Sequence, residues 1–72
     1  MNLKTIRSKL VCSCANKNLA IVKRHCKQTD AFGEIMGGLW VFYDICEYRD
    51  GEVGEHLKSF VTFSAAVECL FS

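Results

Sequence analysis

Residues 39–49 read LWVFYDICEYR, and Asp50-Gly51 follows at once. The eleven-residue run is dense in aromatic and β-branched side chains, which fit a pleated, packed surface better than a helix. Asp-Gly is a strong hairpin signal, because a type I′ turn needs positive φ at both central residues. The pair therefore predicts a β-hairpin whose first arm is Leu39–Arg49 and whose return runs from about Glu52 to Val61. Along the first arm Leu39, Val41, Tyr43 and Ile45 alternate with Trp40, Phe42, Asp44, Cys46 and Tyr48. Both sets are largely apolar, which predicts a central strand covered on both sides or with one face kept for a partner. The return arm carries Glu52, Glu55, His56 and Lys58 and reads as an edge strand.

Downstream, Phe63, Ala66, Val67, Leu70 and Phe71 recur at the spacing of one helix face, with Thr62 placed to cap it. So short a helix needs a sheet to dock on. Upstream, Gly37-Gly38 marks a bulge or hinge, and Thr29–Gly33 a turn into the central arm. Leu19–Lys27 fits either a strand or a helix with Leu19, Val22, Lys23 and Cys26 on one side; the turn after it favours the strand. Asn16-Lys17-Asn18 reads as a turn. Leu3, Ile6, Leu10 and Cys14 form a helical stripe with Asn2 as a cap. The expected architecture is one α+β domain over residues 1–72, α-β-β-β-α. It is a three-stranded antiparallel meander with an N-terminal helix and a short C-terminal helix on the sheet.

Half of the 72 residues are apolar, too many for a disordered chain. A domain of this size buries only about 60% of its unfolded surface. Part of the apolar surplus is therefore expected in a homodimer contact or another interface. No run approaches the roughly 18–20 apolar residues of a membrane helix. After Arg7 and Lys9, Leu10-Val11 is too short for a secretory core. Five cysteines, an odd number without framework spacing, point to reduced thiols and a cytoplasmic setting.

Charge is the strongest functional signal. Residues 1–30 hold seven Lys/Arg against one acid, a net +6; residues 31–72 hold two against seven, a net −5. The basic half points to an anionic partner. Lys4, Arg7, Lys23, Arg24 and Lys27 are its candidate contacts, with Trp40 as a stacking surface for nucleic acid. The rival is a small accessory module that binds or inhibits a protein through the acidic hairpin residues Glu47, Asp50, Glu52 and Glu55. A third possibility is a structural homo-oligomer in which the two halves pair between subunits.

Catalysis and cofactors are not expected. Cys12, Cys14, His25 and Cys26 are ligand types for zinc, but one residue between the first two cysteines suits a metal knuckle poorly. If Leu19–Lys27 is a strand, His25 and Cys26 point to opposite faces. A Cys–His pair drawn from Cys26, Cys46 or Cys69 with His25 or His56, oriented by Asp44, lacks any supporting motif.

Overall fold

The computed structural model describes residues 2–72. Four strands, β1 (Asn2–Cys14), β2 (Leu19–Thr29), β3 (Ile35–Arg49) and β4 (Glu52–Phe60), form one antiparallel sheet in the order β1-β2-β3-β4. A single helix, α1 (Phe63–Phe71), follows. The expected α-β-β-β-α layout is therefore wrong at its first element: the N-terminal segment is a strand, and the meander has four strands.

The helical stripe in that segment has a physical explanation. β1 pairs with β2 but slips register between Thr5 and Arg7 and again between Leu10 and Cys12, leaving Ile6 and Val11 as extra residues. Each bulge lengthens the spacing between same-face residues from two to three. Leu3, Thr5, Ser8, Leu10 and Ser13 share one face, while Lys4, Arg7, Lys9, Cys12 and Cys14 share the other. A strand broken this way imitates helical periodicity. Thr5, Ile6, Val11 and the interspersed Ser and Cys are nonetheless poor helix formers.

β2 takes the strand alternative and leaves β1 through a single 3₁₀ turn, Ala15–Lys17, with Asn18 in the left-handed region at φ 53°. The Tyr48 amide donates to the Asn18 carbonyl at 2.8 Å, tying this turn to β3. At the other end of β2 the Asp30 side chain organises the turn. Its Oδ1 accepts from the amides of Phe32 (2.8 Å) and Glu34 (2.9 Å), and Gly33 takes φ 81°. β3 is the longest strand and carries Gly38 at φ 100°, near a register slip against Lys27 and Thr29.

The hairpin forms where expected. Asp50 and Gly51 have φ 52° and 79°, and Arg49 pairs with Glu52 across them. Gly51→Val should destabilise the fold by about 1–2 kcal/mol, since a β-branched residue resists positive φ. An unchanged denaturation midpoint would contradict the turn.

Helix α1 packs over one end of one sheet face. Ile21, Ile45, Ala66 and Leu70 form the core, joined by Cys12, Cys14, Leu19, Tyr43, Phe60, Val67 and Cys69. Thr62 caps the helix, its hydroxyl accepting from the Ala65 amide at 3.3 Å. Lys17 Nζ donates to the Leu70 and Ser72 carbonyls at 2.7 and 2.8 Å, which satisfies free acceptors at the helix C-terminus. Of the expected stripe, Ala66 and Leu70 are buried. Phe63 touches Tyr43 (centroids 5.6 Å apart) but stays partly exposed, as does Phe71. The molecule measures 43 × 24 × 16 Å, and α1 is too short to cover the full length of the sheet.

Candidate nucleic-acid interface

Strand alternation and register decide where each base goes. Directly opposed residues of an antiparallel pair share a face. On β2, Lys23, His25 and Lys27 lie on the face that carries α1, beyond the helix. On β1, Lys9, Arg7 and Lys4 stand directly opposite them: Lys9 against Lys23, Arg7 against His25, Lys4 against Lys27. The bulge at Ile6 is what brings Lys4 and Arg7, three residues apart, onto one face. Without it they would point to opposite sides.

The result is a ladder of three cross-strand pairs, all basic or imidazole. Arg7, Lys9, Val11, Lys23 and His25 line a single concavity. Among the described residues none of Lys4, Arg7, Lys9, Lys23 and Lys27 makes an ion pair; Lys23 only leans its ammonium over the Tyr43 ring at 5.9 Å. His25 Nδ1 is buried without a hydrogen-bond partner. The His25 pKa is lowered first by burial and then by the charges of Arg7 and Lys23. Like charges set directly opposite one another cost stability. The patch is therefore a site of unrelieved positive potential, and an anion would relieve it.

Two first-half bases lie elsewhere. Lys17 caps α1. Arg24 lies on the back of the sheet, where its Nε approaches Asp44 Oδ2 at 2.8 Å and its Nη2 reaches Oδ1 at 3.4 Å. The Nε contact is ion pairing rather than an aligned hydrogen bond. Arg24 also covers the Phe42 ring at 5.0 Å. It serves Asp44, which is nearly buried within the central strand. Trp40 opposes Cys26 on this same back face, away from the basic ladder. The sequence-derived set is thus divided: Lys4, Arg7, Lys23 and Lys27 converge, Arg24 and Trp40 do not. Lys9 and His25 complete the cluster. A register that included the β1 bulges would have found both.

The back face also joins Asp44, Ser59 and His56. Ser59 Oγ donates to Asp44 Oδ1 at 2.7 Å and lies 2.8 Å from His56 Nε2. With its proton directed at the carboxylate, the hydroxyl accepts from His56 rather than being activated by it. Cys46, opposite His56, has its thiol pKa raised by burial and then by Asp44, with Arg24 acting in the other direction. A raised thiol pKa opposes the thiolate that nucleophilic attack requires. The four residues weighed for zinc are spread out. Cys12 and Cys14 lie by the helix and His25 further along that face, while Cys26 is on the back, 3.7 Å from Thr5 Oγ1. Among the described residues no three His, Cys, Asp or Glu side chains gather as a metal site, and no helix is long and apolar enough to cross a membrane.

The acidic residues of the hairpin sit at the end of the sheet remote from Lys4 and Lys27. Glu47 and Glu52 share a concavity with Arg49, Val53 and Gly54, Asp50 is in the turn, and Glu55 is exposed on β4. The acidic hairpin is thus separated along the sheet from Lys4 and Lys27, whereas Asp30 and Glu34 lie in the turn after β2, at the Lys27 end.

Searches against known protein families, curated proteins and solved structures found no match.

Proposed function

We propose that this chain is a small, non-enzymatic, cytoplasmic module that binds nucleic acid through backbone phosphates. The observation that carries this reading is the ladder of opposed bases, Lys9/Lys23, Arg7/His25 and Lys4/Lys27, without an acidic counterpart. Lys23 to Lys27 spans about 13 Å of strand, roughly four nucleotide steps at about 3.4 Å each. Trp40, Phe42 and Tyr48 occupy the other face, and Tyr43, on this one, is packed against Phe63 and the core beneath α1. Phosphate contact rather than base stacking is therefore the mode the geometry favours, and such contact positions a duplex without reading its sequence. The acidic hairpin supports the protein-binding alternative less well, because Arg49 interrupts its field at the concavity.

Five phosphate contacts predict a slope near −4.5 for log affinity against log salt on duplex DNA. Between about 50 and 200 mM salt the affinity should fall some 10²–10³-fold. A titration of random-sequence duplex and single-stranded probes measures this directly. Absence of binding at the low-salt end would defeat the proposal.

A further inference from the structure

The two sides of the sheet are finished differently. β1, one edge, is interrupted by two bulges and carries Lys4, Arg7 and Lys9, which are devices that discourage strand addition. On the other side β4 pairs with β3 only as far as Phe60 opposite Tyr43. Among the described residues no strand covers the outer edge of β3 over Ile35–Phe42. That segment, IMGGLWVF, holds no charged residue and no proline. Ile35, Met36, Leu39 and Trp40 are 54, 48, 57 and 51% exposed. An uncharged, apolar, unpaired strand edge is a template for another strand.

We infer that the occupant is a second copy of this chain, its own Ile35–Phe42 pairing antiparallel with the first about a two-fold axis normal to the sheet. Three features point to a copy rather than a foreign strand. The open slot is bounded by Phe60 at one end and by the 30–34 turn at the other, so its length is that of the segment that would fill it. Being uncharged, the segment meets itself without repulsion. The third feature lies at the two ends of the slot. Phe32, just before β3, and Val61, just after β4, are the most exposed large apolar residues of the described chain, at 92% and 74%. Antiparallel two-fold pairing places Phe32 of each copy beside Val61 of the other, so both find cover at once. The same axis keeps the helix-bearing faces on one side, and the dimer presents two basic ladders in one surface.

Sedimentation of the protein without nucleic acid, from about 1 to 200 µM, should show a monomer–dimer equilibrium. Because Phe32 and Val61 are so exposed, Phe32→Asp and Val61→Lys should leave the monomer's circular dichroism unchanged while each weakens dimerisation about tenfold or more. Mixing the two variants should restore a heterodimer, since one contact becomes Asp against Lys and the other stays native. Val53→Asp, at a half-exposed position by the Asp50-Gly51 hairpin and away from this edge, should dimerise as the unsubstituted chain does. A monomer throughout the range, variants that dimerise unchanged, or a mixture without rescue would each overturn the inference.

Discussion

Leu70→Ala is expected to cost about 2–5 kcal/mol, enough to leave much of a small domain unfolded at room temperature. Leu70 is 1% exposed and meets Ile21 and Ile45 beneath α1. It is one of only two fully buried helix residues, the other being Ala66, which is too small to compensate. Truncation leaves a cavity between a nine-residue helix and the sheet, and a helix that short does not persist undocked. Its loss would also strip the Lys17 ammonium of both carbonyl partners. Urea denaturation followed by far-UV circular dichroism gives the value. A change below about half a kcal/mol would mean that α1 does not hold the sheet together.

The elements that were legible in the sequence are those whose signals are local. Asp50-Gly51 sets positive φ at two adjacent positions, Thr62 caps through its own hydroxyl, and the alternation of Tyr43 and Ile45 with Phe42 and Asp44 is uninterrupted. Trp40, Phe42 and Tyr48 were rightly grouped on one face, with Tyr43 on the other. β1 was illegible because bulges at Ile6 and Val11 are properties of its pairing with β2, not of its own residues. Reading it as a helix also hid the site. On a helix the bases of residues 4–9 face β2 in no defined register, whereas on a bulged strand Lys4, Arg7 and Lys9 stand against Lys27, His25 and Lys23. The charge split places most of the bases in the first half of the chain but does not show how the fold separates them. Arg24 is adjacent to Lys23 in sequence, and strand alternation alone sends it to the back of the sheet.

That separation makes opposite predictions for neighbouring bases. Replacing Lys9, Lys23 and Lys27 with Gln removes like-charge opposition at two rungs of the ladder, Lys9/Lys23 and Lys4/Lys27. Each such pair costs a few tenths to about 1 kcal/mol, so the triple variant should be more stable than the unsubstituted chain, by about 0.5–1.5 kcal/mol. Its affinity for duplex DNA should nevertheless drop, the salt slope shrinking from near −4.5 to about −1.8 as three phosphate contacts disappear. Arg24→Gln should do the reverse. It leaves Asp44 nearly buried with Ser59 and His56 but without its guanidinium. The fold should lose about 1–2 kcal/mol, a figure held down by the partial exposure of Arg24, while the salt slope stays the same. Denaturation midpoints and salt titrations on the two variants test both halves together. A basic surface kept only for solubility would show no change in binding in either variant. A set of bases that hold the fold by pairing with the acidic half would make the lysine triple the less stable protein. Gain of stability with loss of binding in one variant, and loss of stability with binding retained in the other, is the outcome that the ladder alone requires.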